Sequence, residues 1–137
     1  MSRKSKGINA ERDLIHKFWS TGLWSAVRVA GSGSMRYPSA DILASNKLRR
    51  LAIECKTSRE KNKYLPKEDV LQLKTFAEIF GAEPWIAIKF DRKEWLFLSL
   101  DDLEDTGNNC LVSIDIAEKK GLLLEELIEA KKYTRGQ

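Results

Sequence analysis

The chain has 137 residues, room for one domain, and its 42% hydrophobic and 9% aromatic content excludes an intrinsically disordered polymer. Two cysteines, Cys55 and Cys110, exclude a disulfide framework or a four-cysteine metal site, and no apolar run approaches the roughly 18 residues of a membrane span. The net charge of +4 divides unevenly: residues 1–60 carry 12 Lys/Arg against 5 Asp/Glu, residues 61–137 carry 12 against 15. A basic half on one domain fits a face that meets a polyanion, although an ordinary charged surface fits equally well.

In chain order, residues 1–6 form a basic arm without the apolar core of a signal peptide, so an intracellular, cytoplasmic protein is expected. Residues 8–21 read as a helix, because Leu14, Phe18, Ile15 and Trp19 fall with Ile8 inside an arc of roughly 140°. Trp24–Ala30 reads as a strand and residues 31–39 as a glycine-bearing loop. Ala40–Ser45 and Leu51–Thr57 are hairpin partners across the turn 46–50. A charged loop over 58–65 leads to a helix from Pro66 to Phe80, whose buried stripe is Val70, Leu73, Phe76, Ala77 and Phe80. Trp85–Phe90, Trp95–Leu100 and Cys110–Ile116 follow as strands, and Leu122–Lys131 as a last helix, with a frayed tail at 133–137. The result is an α/β single domain, 1–137, with a central mixed β-sheet flanked by helices. Trp85–Phe90 and Trp95–Leu100 are apolar on both faces, which serves either a covered central sheet or a subunit interface.

Three residues contradict their local pattern. Glu11 lies inside the apolar arc of its helix, where a carboxylate needs a cation, a metal or a donor; a buried salt bridge or a helix-start carboxylate would satisfy it too. Strand alternation sets Glu54 beside Lys56 on one face, opposite Leu51, Ile53 and Cys55, although an ordinary solvated face with a Glu–Lys pair gives the same pattern. The short hairpin turn folds Asp41 back toward Glu54. Two close carboxylates repel, and a hard divalent cation with oxygen ligands relieves that repulsion. Mg²⁺ suits Asp41 and Glu54, with the Cys55 backbone carbonyl as a third oxygen, and Lys56 is placed to orient the attacking water and offset charge. That chemistry is metal-assisted phosphodiester hydrolysis.

Asp41, a twelve-residue gap and Glu54-Cys55-Lys56 resemble the PD-(D/E)xK signature of restriction-endonuclease-like nucleases, with Ala40 where proline is usual. A longer resemblance is to archaeal Holliday junction resolvases. It is carried by Lys4-Ser5-Lys6-Gly7, Ala10-Glu11-Arg12, Val27-Arg28-Val29-Ala30-Gly31-Ser32-Gly33, Ala52–Thr57, Tyr64-Leu65 and Phe80–Phe90. The resemblance implies a restriction-endonuclease-like fold and a homodimeric endonuclease that cuts four-way DNA junctions with Mg²⁺, Mn²⁺ substituting. It implies Glu11, Asp41 and Glu54 as acidic metal-site residues, Lys56 as the catalytic lysine and Ser32 as a catalytic serine on a mobile loop. Arg12, Arg28 and, with less weight, Gln72 would meet DNA.

Arg3, Lys4, Lys6 and Arg36 join them as basic residues able to make salt-sensitive phosphate contacts. No recognition helix or zinc finger is present in the pattern, which favours readout of junction shape. Family members work beside replication clamps or branch-migration motors, a contact no residue pattern here demonstrates. The alternatives are another nuclease of the same superfamily, acting on linear or damaged DNA, and a non-catalytic junction-binding protein whose carboxylates are structural.

Overall fold

The computed structural model describes residues 3–31 and 37–129. Helix α1 (Arg3–Trp19) begins inside the basic segment expected as an arm. It is followed by β1 (Ser25–Arg28), β2 (Ile42–Ser45), β3 (Arg50–Ser58) and β4 (Asn62–Pro66). Next come α2 (Lys67–Phe80), β5 (Glu83–Phe90) and β6 (Leu96–Leu98). The chain continues through a 3-10 turn (Leu100–Asp102), β7 (Glu104–Asp105), β8 (Asn109–Ser113), α3 (Ile114–Lys120) and α4 (Leu124–Glu129).

Five strands form a mixed sheet in the order β1-β2-β3-β5-β6. The β2–β3 hairpin pairs Ile42 with Ile53 and Ser45 with Arg50. Its turn is held by Asn46, whose Oδ1 accepts from the Leu48 and Arg49 backbone amides at 3.0 and 2.8 Å, an Asx turn. Only the β3–β5 pair is parallel, and α2 is its crossover. Gly81 ends α2 with φ 83°, a left-handed C-cap that donates its amide to Ala77.

Both faces of this sheet are covered. Leu51, Ile53, Trp85, Ala87 and Phe97 pack with Leu14 and Phe18 of α1 and Leu127 of α4. On the other face Ala52, Ile86, Ile88 and Leu98 pack with Leu73 and Ala77 of α2 and Ala117 of α3. Double coverage is why β5 and β6 are apolar on both faces, so these strands are core rather than an interface.

Three expectations are corrected. The segment 58–65 is not all loop: Asn62–Pro66 forms β4, paired antiparallel with β8 in a second, three-stranded sheet of order β4-β8-β7. The strand expected over Cys110–Ile116 stops at Ser113, whose side chain accepts from the Ile116 amide and starts α3. Phe80, expected on the buried stripe of α2, is half exposed and stacks on Phe76 at 5.1 Å. No helix among the described residues is long and apolar enough to cross a membrane.

Candidate active site

Asp41 sits just before β2, stitched into the sheet by its backbone: its amide donates to Ile53 at 2.9 Å and its carbonyl accepts from Val29 at 2.8 Å. The side chain turns to β3, where Oδ2 accepts from the Cys55 amide at 2.9 Å. That bond holds the Asp41 carboxylate beside β3, near enough to Glu54 for their charges to interact, the approach that the hairpin spacing predicts.

Glu54 is largely buried, with its Oε2 3.6 Å from Lys56 Nζ. Its pKa is pushed from 4.5 up to about 8. Burial is the largest cause, the Asp41 charge is second, and Lys56 opposes both. Protonated Glu54 also donates a hydrogen bond to Asp41, which raises it further. Two carboxylates are thus held together without enough positive charge to neutralise them.

Glu11 approaches from α1. Its side chain is 16% exposed, as the helical wheel predicts, and Arg28 of β1 donates to it, Nε to Oε2, at 2.8 Å. The inward carboxylate is therefore compensated by an ion pair, and the arginine expected on DNA is engaged with the carboxylate expected on metal. The Cys55 thiol feels the charge of all three carboxylates. Its pKa is driven well above the ordinary value by burial first, then by Asp41, Glu11 and Glu54, while Lys56 opposes them. Such a thiol is a poor nucleophile.

The remaining residues divide. Arg12 and Lys6 are exposed on α1. Arg3 and Lys4 lie in its first turn. Gln72 is exposed on α2. Ser32 and Arg36 lie outside the described residues. Sequence reasoning missed Asp69, a partly buried residue in the first turn of α2 close enough to Glu54 to raise its pKa. An acid in a helix's first turn is ordinarily explained by the helix dipole, so no signal marked it.

Among the described residues no group of three or more His, Cys, Asp or Glu side chains is close enough to hold a metal ion. The acidic pair Asp41/Glu54 still fits one class of cation. Burial and the neighbouring Asp41 charge both disfavour ionised Glu54, so the place invites positive charge, and a small hard ion that keeps its own waters needs only one or two protein carboxylates.

A mixed sheet covered by helices, with Asp41 at the entry to β2 and Glu54 and Lys56 on the adjacent β3, defines a restriction-endonuclease-like nuclease fold. The description "Archaeal holliday junction resolvase (hjc)" belongs to the family model that matches residues 2–135, and the chain belongs to that family. It is 42% identical over 130 residues to the crossover junction endodeoxyribonuclease Hjc of Archaeoglobus fulgidus, covering 90% of this chain and 95% of that one. The enzyme of the same name from Methanocaldococcus jannaschii is 37% identical over 107 residues, covering 78% of this chain and 75% of that one. The crossover junction endodeoxyribonuclease Hje of Saccharolobus solfataricus is 35% identical over 134 residues, 93% of this chain and 96% of that one. The solved structure of Archaeoglobus fulgidus Hjc, a Holliday junction resolvase, superposes with a TM-score of 0.83 at 40% identity, covering 88% of this chain and 97% of that chain.

Proposed function

We propose that this protein is a Mg²⁺-dependent endodeoxyribonuclease that resolves four-way DNA junctions by paired symmetric nicks in recombination and repair. The observation that carries the reading is the placement of Asp41, bonded to the Cys55 amide at 2.9 Å, beside Glu54, whose Oε2 is 3.6 Å from the Lys56 amine on the same strand face. Asp41 and Glu54 would hold the ion, with the Cys55 carbonyl as a further oxygen donor, while Glu11, paired with Arg28, would reach only its waters. A bound divalent cation supplies Lewis-acid polarisation of the phosphate and acidification of a water. Lys56 holds Glu54 in place and offsets negative charge building on the attacked phosphate. The Cys55 amide orients Asp41, so the carboxylate needs no rearrangement when substrate arrives.

Two symmetric cuts call for two sites related by a two-fold axis, hence a homodimer with one site per subunit. Support comes from the C-terminal end of α2, where Ile79 is 84% exposed beside the half-exposed, stacked Phe76–Phe80 pair. Arg12, Arg28 and Lys6, with Arg3, Lys4 and Arg36, supply phosphate contacts, and the family resemblance adds Ser32 and Gln72 as DNA-contacting residues.

The test is cleavage of an end-labelled four-way junction beside a linear duplex of the same sequence, with Mg²⁺, with Mn²⁺ and with chelator. Paired nicks on the junction alone, absent with chelator, are expected. Cutting of both substrates would make the protein a general nuclease, and tight junction binding without cutting in either metal would make the carboxylates structural.

A further inference from the structure

Tyr64-Leu65 is part of the pattern that marks the family, yet only half of it is explained by packing. Leu65 is buried at 1% exposure, while Tyr64, its neighbour on the opposite face of β4, is 53% exposed. β4 is an edge strand of the small sheet, so nothing in that sheet flanks the phenol on its outer side.

Tyr64 lines a groove of about 900 Å³ that runs between α1 and the ends of β3, β4 and β5. The groove is walled by the same two elements that carry site residues, Ala10 preceding Glu11 on α1 and Thr57 following Lys56 on β3, without including the site residues themselves. Lys6, Arg59, Lys63 and Lys89 also line it. None of these four cations has an ion pair or side-chain hydrogen bond among the described residues. The acids of the groove are placed differently. Asp13 accepts from Trp95 Nε1 at 3.4 Å, and Glu60 and Asp91 lie in the turns that follow β3 and β5.

Unpaired cations around an exposed aromatic ring form the combination that holds unpaired nucleic acid, the charges tracking phosphates and the ring stacking on a base. A base inside a duplex arm has both faces covered by its neighbours. A base at the point where strands exchange has an open face, and only there is a stacking partner useful. We propose that this groove takes the strand next to the scissile phosphate and that Tyr64 stacks on a branch-point base, giving the enzyme a contact that a linear duplex cannot supply. The proposal rests on the reading of junction DNA as substrate and adds the residue that selects the branch.

The experiment measures binding of the full chain, in chelator, to a four-way junction and to a linear duplex, for wild type, Tyr64→Ala and Tyr64→Trp. Tyr64→Ala is expected to bind the junction about fivefold or more weakly, to bind the duplex unchanged, and to be rescued by Tyr64→Trp. In parallel, 5-iodouracil is placed at the branch point or within an arm and irradiated with bound protein. Crosslinking to the Tyr64 peptide from the branch position alone is the expected result. Equal losses on both DNAs, or no crosslink at Tyr64, overturns the proposal while leaving junction cleavage intact. A wild type with no preference for the junction overturns the parent reading instead. Arg59→Glu, an exposed substitution on the same groove, gives an independent variant should Tyr64→Ala misfold; an unchanged salt dependence of junction binding in it counts equally against the groove.

Discussion

Arg28 of β1 clasps Glu11 of α1, Nε to Oε2 at 2.8 Å, with the arginine 32% and the glutamate 16% exposed. The bond ties the first helix to the edge strand beside the catalytic pair, and it changes what each residue can do. Arg12, exposed and without an ion pair among the described residues, carries a full charge to DNA; the charge of Arg28 is partly cancelled by its partner. Arg12→Ala should therefore weaken junction binding and lower the salt slope by about one unit. Arg28→Ala should lower the slope by clearly less. Equal slopes for the two variants, measured by titration across salt concentrations, would mean that the ion pair opens when DNA binds.

Asp41 has two roles that two substitutions separate. As a carboxylate it belongs to the acidic pair; as an acceptor it satisfies the Cys55 amide at 2.9 Å. Asp41→Asn keeps an acceptor oxygen and removes the charge, so cleavage should vanish while junction affinity and stability stay near wild type. Asp41→Ala also orphans the amide, and should cost about 1–3 kcal/mol more in urea unfolding. Glu54→Gln should likewise abolish turnover with binding within a few fold. Equal loss of binding and cutting in these variants would assign the pair to the fold.

These two carboxylates were legible because everything needed to join them is local. Alternation on β3 sets Glu54 and Lys56 on one face, and a short turn returns Asp41 beside them. β4 was not legible, since its partner β8 lies far along the chain, Asn62 facing Ser113 and Pro66 facing Asn109, and its sequence reads as loop until that pairing exists. The end of β8 was missed for the opposite reason. Cys110–Ile116 is a continuous β-like run, and only the capping bond from Ser113 to the Ile116 amide turns it into helix.

The raised pKa of Glu54 sets a pH dependence. Its folded value near 8 exceeds the ordinary 4.5, so the folded state holds a proton that the unfolded chain releases. The stability this gives the metal-free protein is fully present below about pH 4.5 and is lost as pH rises through about 8. Thermal unfolding in chelator should show the midpoint falling over that range, with a shallower fall in Glu54→Gln. Adding Mg²⁺ at pH 8 should raise the wild-type midpoint and leave Glu54→Gln nearly unmoved. Because an ion must displace the Glu54 proton, its affinity should weaken below pH 8 and its binding should release protons. Calorimetry in buffers of different ionisation enthalpy checks this, and heat independent of buffer would place the ion elsewhere.

The exposed end of α2 makes the dimer testable without touching the site. Ile79→Asp puts a charge on a side chain that is 84% exposed, so the subunit should fold normally. If this surface joins two copies, the mass by light scattering should halve and paired nicking should give way to single nicks. A variant that stays dimeric would move the interface away from α2.

Arg49 concentrates stability far from the chemistry. At 3% exposure it forms a bidentate pair with Glu83, Nε to Oε2 at 2.8 Å and Nη2 to Oε1 at 2.9 Å, and donates from Nη1 to the Leu127 carbonyl at 2.6 Å. Its guanidinium also lies 5.7 Å from the centre of the Trp24 ring, and Glu83 accepts from Trp85 Nε1 at 3.1 Å. One side chain thus joins the β2–β3 turn, the start of β5 and α4. Removing one partner of such a pair strands the other, so Arg49→Ala should cost about 3–5 kcal/mol in urea unfolding. Arg49→Met with Glu83→Gln should recover part of that loss, because neither half leaves a buried charge behind. Junction affinity should be unchanged wherever the variants are folded. A single substitution costing under about 1 kcal/mol would mean that water reaches the pair and that this end of the sheet is held by apolar packing alone.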